Sequence, residues 1–107
     1  MKLILAIINR DDAQSVIQNL TREGYQVTKL ATTGGFLMAG NVTVIVGVED
    51  DKVDGALEII RVYSHSRKQA VPVAPEMGIG LFAARPIEVV VGGATVFVMP
   101  VEQFHKY

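Results

Sequence analysis

The sequence predicts an α+β domain whose elements run β-α-β-β-α, then a long connection, then β-β. Three observations predict it. Apolar runs rich in β-branched residues alternate with two stretches whose apolar residues recur at helical spacing. Stretches bearing glycine or proline separate these runs. Of the 107 residues, 50% are hydrophobic and 20% are charged. That is more apolar side chain than one small domain encloses, which predicts a homo-oligomer.

Leu3 to Ile8 is continuously apolar, as expected of a strand buried on both faces. In "NRDDAQSVIQNLTREG", Ala13, Val16, Ile17 and Leu20 fall at i, i+3, i+4 and i+7. Asp11 and Asp12 suit the first turn of this helix, and Gly24 suits the position just past its end. "YQVTKLA" sets Tyr25, Val27 and Lys29 against Gln26, Thr28 and Leu30, and "VTVIVGV" is β-branched, giving the second and third strands.

A second helix is predicted in "EDDKVDGALEIIRVYS", with Val53, Ala56, Leu57, Ile60 and Tyr63 on one face. Glu49, Asp50, Asp51 and Asp54 gather at its head, where the helix dipole favours acids. The segment from His65 to Pro86 carries three prolines and two glycines, and reads as a long loop. "IEVVVGGATVFVMP" reads as two strands around a Gly92-Gly93 hairpin turn. The order thus contains β-α-β-β-α-β, the ferredoxin-like arrangement, with an extra strand and a long loop before the fourth strand. In it the helices cover one sheet face, and the other face needs a partner.

Composition excludes several function classes. A formal net charge of -1 with interspersed signs gives no electrostatic footprint for a nucleic-acid polymer or an anionic membrane. Without cysteine there are no disulfides, thiol catalysis or thiolate metal sites. The opening "MKLILAIINRDD" is too short to span a bilayer and lacks a small-residue cleavage site, so a cytoplasmic location is expected. His65 and His105, the two histidines, sit at a helix end and in the tail, with no nucleophile or metal-ligand spacing beside them. Neither an enzyme nor a metal centre is expected, and "TTGGFLMAGN" lacks the Gly-Lys-Ser/Thr of a Walker A loop.

The passage "KLATTGGFLMAGN" between the second and third strands stands apart. Gly34-Gly35 lets backbone N–H groups approach a phosphate, while Thr28, Thr32, Thr33 and Lys29 supply hydroxyl donors and a cation. Phe36 offers a stacking face, and Asn41 both donates and accepts toward a base edge. Together these describe a small-nucleotide site. The same Gly-Gly-Phe-Leu run also suits a chain corner anchored in a subunit interface. Gly47, inside a good strand, marks close approach of a ligand or another backbone.

"TKLATTGGFLMAGNVTVIVGV" and "VGGATVFVMPVEQFHKY" closely resemble the PII-like cyclic di-AMP receptor family, over essentially the whole chain. The long pattern T-K-L-A-T-T-G-G-F-L-x-A-G-N carries the specificity, and "GGATVFVMPVEQF" is a weaker echo of nitrogen-regulatory PII proteins. The resemblance implies a ferredoxin-like trimer that binds cyclic di-AMP in the clefts between subunits and rearranges its loops for a downstream protein partner. It implies that Thr28 contacts phosphate, that the backbone around Gly35, Phe36 and Leu37 wraps one nucleotide, and that Phe36 stacks on adenine. Asn41 and Gly47 would read or accommodate the adenine edge, and Phe97 would line the pocket from an adjacent strand.

Two positions depart from the family. Gln26 stands where an arginine often reaches the phosphate, and Lys106 where a tail glutamine is often found. Loss of one charge-assisted hydrogen bond removes about 1.5–3 kcal/mol, which Lys106 would partly restore. A PII-like sensor of another adenine nucleotide, and a trimeric scaffold without a nucleotide, are the alternative readings.

Overall fold

The structure is a computed structural model that describes residues 1–30, 40–71 and 87–107, with the backbone alone for 69–71, 87–89 and 91. The N-terminal apolar run forms β1 (Lys2–Asn9), followed directly by α1 (Arg10–Arg22). Asn9 caps the helix, its side-chain oxygen accepting the Asp11 N–H at 2.9 Å. The helix ends at Glu23, and Gly24 takes the left-handed conformation expected of it, at φ 92°. β2 (Val27–Leu30) and β3 (Asn41–Val48) follow, and a 3-10 turn at Asp50–Lys52 leads into α2 (Val53–Ser64).

The last strand, β6 (Ala94–Pro100), completes a four-stranded sheet of order β2-β3-β1-β6, in which every neighbouring pair is antiparallel. Two helices and a four-stranded antiparallel sheet agree with the ferredoxin-like expectation. Side chains alternate along each strand, and directly opposed residues share a face. Ile4, Ala6 and Ile8 of β1 and Val44, Val46 and Val48 of β3 are buried with Ala13, Val16 and Leu20 of α1 and Ala56 and Ile60 of α2. Each fully buried aliphatic side chain contributes about 1.5–3 kcal/mol, so this layer holds the helices to the sheet.

Four expectations change. β1 is not buried on both faces: Leu3, Leu5 and Ile7 are only half-buried, because among the described residues no layer covers that side. On α2 the inward residue of the last turn is Ser64, whose hydroxyl donates to the Ile60 carbonyl, while Tyr63 is 42% exposed. The region read as one long loop starts with a strand, β4 (Arg67–Val71), which pairs antiparallel with β5 (Ile87–Val91) in a separate two-stranded sheet.

Gly92 and Gly93 are therefore not a hairpin turn joining β5 to β6. They form the corner by which the chain passes from one sheet to the other, with φ of 79° and 102°. A Cβ at Gly92 would run into Arg67 Nη1 and lie 2.7 Å from Asp12 Oδ2 and 3.1 Å from the His65 carbonyl oxygen, so a side chain there would displace the ends of Arg67 and Asp12.

Candidate functional site

Strand register decides which candidate residues share a surface. Thr28 lies opposite Ile45, Ile45 opposite Leu5, and Leu5 opposite Phe97, giving one row across all four strands on the face away from the helices. Gly47 lies opposite Leu3, and Leu3 opposite Met99, on the same face. Asn41 lies opposite Asn9 at the far end of β3, again with the parity of this face. Thr28, Asn41, Gly47 and Phe97 therefore occupy a single open sheet face lined by Leu3, Leu5, Ile7 and Ile45. Gly35, Phe36 and Leu37 lie outside the described residues.

The residues share a face without sharing a point. Phe97 is not on a strand adjacent to the other candidates: β6 adjoins β1, and both β1 and β3 lie between it and β2. At the usual strand spacing, Thr28 and Phe97 stand roughly 14 Å apart. Asn41 and Gly47 are separated along β3 by roughly 20 Å. A single base in one copy of the chain cannot touch all four.

Gly47 is exposed, and a Cβ built on it meets no atom within 4 Å. Packing among the described residues therefore does not require the glycine. Beside it is a depression of about 250 Å³ lined by Gln26, Gly47, Tyr25, Glu49 and Lys52, among others. Lys52 was not a candidate from sequence. The Tyr25 hydroxyl donates to the Lys52 carbonyl at 3.0 Å and brings the turn before α2 beside Gln26. No local pattern signals that long-range bond. Lys52 and Gln26 border the same depression.

Thr43, opposite Ile7 and Leu30 on this face, is 2% exposed, and among the described residues its Oγ1 has no hydrogen-bond partner. A buried hydroxyl left unsatisfied costs about 1–3 kcal/mol. Toward the other end of the sheet, a cavity of about 500 Å³ is bordered by Asn9, Asn41, Arg61, His65, Gly93 and Thr95. Arg61 is held there by Glu58, at 2.9 and 2.5 Å. These hydrogen bonds bring the Glu58 carboxyl below its ordinary pKa and raise that of Arg61.

His65 Nδ1 lies 3.3 Å from the Val62 carbonyl at the end of α2, and His105 Nε2 lies 3.1 Å from Gln103 Oε1 in the tail. Among the described residues, no group of three or more histidines and carboxylates is placed to hold a metal ion. No helix among them is long and apolar enough to cross a membrane.

Comparison with known proteins bears on this geometry. A crystal structure of a functionally unknown protein from Pediococcus pentosaceus ATCC 25745 is similar at a TM-score of 0.78 and 40% identity, over 99% of this chain and 96% of that one. The sequence pattern of the cyclic-di-AMP receptor matches residues 1–107. The chain with the open, glycine-interrupted sheet face belongs to the cyclic-di-AMP receptor family.

Proposed function

We propose that this protein is a cytoplasmic, non-enzymatic signal-transduction module that binds cyclic di-AMP between the subunits of a homotrimer and relays occupancy to a protein partner through loop rearrangement. The observation that carries the reading is the gathering of Thr28, Asn41, Gly47 and Phe97 on one open sheet face, in a chain of a receptor family for that ligand. The separations along and across the sheet support a ligand with a base at each end, held between copies, over a mononucleotide held by one. In this assignment Thr28 and Gln26 face phosphate, with Lys52 supplying charge. Gly35, Phe36 and Leu37 wrap one nucleotide, Asn41 and Gly47 meet the bases, and Phe97 is contributed by a neighbouring copy.

Apolar character supports the assembly. Leu3, Leu5, Ile7, Ile45, Phe97 and Met99 share the open face, and a second copy would remove them from water. The test is calorimetric titration with cyclic di-AMP, with ATP, ADP and cyclic di-GMP as controls, beside sedimentation of the free and bound protein. Selective binding near one ligand per subunit of a trimer is the expected result. Binding of ATP or ADP in its place moves the function to another adenine nucleotide, and silence toward all four ligands with an intact trimer moves it to scaffolding.

A further inference from the structure

The first turn of α1 holds a buried acid whose contacts go beyond the helix dipole. The Asp12 side chain is 7% exposed. Its Oδ2 accepts the Gly93 N–H at 3.0 Å, and its Oδ1 accepts from Arg67 Nη1 at 3.2 Å. Arg67 also donates to the His65 carbonyl at 3.4 Å. Hydrogen bonds between ionised groups are the strong ones, and this acid bonds to both ends of the β4–β5 hairpin root. Arg67 opens β4, and Gly93 follows β5 at the corner between the sheets.

The residues just before Asp12 reach the candidate ligand face. The Asn9 N–H donates to the Gly93 carbonyl at 3.0 Å, and the Arg10 N–H donates to the Gly40 carbonyl at 2.8 Å. Asn9 also stands opposite Asn41 at the end of the β1–β3 ladder. Within four residues, Asn9 to Asp12, the chain thus touches Gly40, Asn41, Gly93 and Arg67. The start of the ligand-bearing strand and the root of the hairpin hang on one junction.

We infer that Asp12 and Arg67 are positioning residues for ligand binding: their clamp sets how the β4–β5 hairpin leaves the main sheet and ties that geometry to Gly40 and Asn41. The inference rests on the cyclic di-AMP reading of the open face. Coupling of this kind is reciprocal, so occupancy of the face and order of the hairpin influence each other equally.

The test combines amide hydrogen exchange of the ligand-free protein with cyclic di-AMP titration, on Arg67→Gln, Arg67→Lys and Asp12→Asn. Arg22→Gln, which removes a distant charge on α1, serves as the control. Arg67→Gln should speed exchange at residues 67–71 and 87–91 while sparing β1 and β3, and weaken cyclic di-AMP binding by about two- to thirtyfold, the span that mutations along a coupling network produce. Asp12→Asn should do the same, Arg67→Lys should recover part of both effects, and Arg22→Gln should change neither. Unchanged exchange in Arg67→Gln overturns the clamp, and faster exchange with wild-type affinity overturns the coupling. If the unmodified protein gives no heat with cyclic di-AMP, the functional reading fails and takes the coupling with it, while the exchange measurement still judges the clamp.

Discussion

Replacing Gly47 by alanine separates a structural glycine from one kept open for a ligand. The residue lies within β3, opposite Leu3, and a Cβ at this position meets nothing within 4 Å. Glycine inside a strand costs about 0.5–1 kcal/mol relative to alanine, so Gly47→Ala should raise stability by that amount. The same methyl projects from the open face beside the 250 Å³ depression that Gln26 and Lys52 line. Forcing a methyl into a packed contact costs about 1–3 kcal/mol, which predicts cyclic di-AMP binding weakened by roughly five- to 150-fold. Urea denaturation at fixed protein concentration reads the first effect, and calorimetry the second. Higher stability with unchanged affinity would refute the placement of Gly47 in the site. A fall in assembly mass would assign the gap to a second copy of the chain.

Other substitutions probe the same face. Phe97 is 51% exposed, so Phe97→Ala should cost the fold little but weaken cyclic di-AMP binding by up to about 3 kcal/mol in calorimetry, the range for removing a buried aromatic that lines the pocket. Thr43→Val removes a hydroxyl that lacks a partner among the described residues and should leave stability unchanged or raise it by up to about 1–3 kcal/mol; a loss in urea denaturation would show that the hydroxyl is satisfied in the assembled protein. Lys52→Gln should weaken binding and flatten its dependence on salt in titrations across ionic strengths, because it removes a cation beside Gln26 and Gly47.

The sequence makes local structure legible and long-range pairing much less so. α1 can be read from its stripe of Ala13, Val16 and Leu20 and its stop at Gly24, all set by neighbours within a few turns. α2 is legible except in its last turn, where hydropathy favours Tyr63 but the helical angle turns Ser64 inward, its hydroxyl satisfied by the Ile60 carbonyl. The β4 segment "RKQAV" carries three polar residues in five, and its partner begins sixteen residues after it ends, so no local signal announces the pairing. Gly92-Gly93 resembles a hairpin turn because glycine permits that conformation. Asn9 and Asp12, more than eighty residues earlier, claim the backbone of Gly93 and make the pair a corner. The role of Asp12 is hidden in the same way: an acid in a first helical turn has an ordinary explanation.

Period-two alternation places Thr28 and Leu30 on one face of β2 and Asn41, Thr43, Ile45 and Gly47 on one face of β3, and the register joins them to Phe97. Strand order is the part that alternation does not contain, and it decides how the site is assembled. With β2 and β6 at opposite edges, Thr28 and Phe97 stand on the same face with β3 and β1 between them. If both serve one ligand, as proposed, each site takes Thr28 from one copy and Phe97 from the next, a head-to-tail relation that closes into a ring. A protein with Thr28→Val mixed into assemblies with a Phe97→Ala protein would then regain some intact sites, because one interface in a mixed ring pairs the two unaltered edges. If each copy held its own complete site, mixing would restore none. Measuring binding capacity of the mixed assembly against the two parents thus reads the composite nature of the site directly.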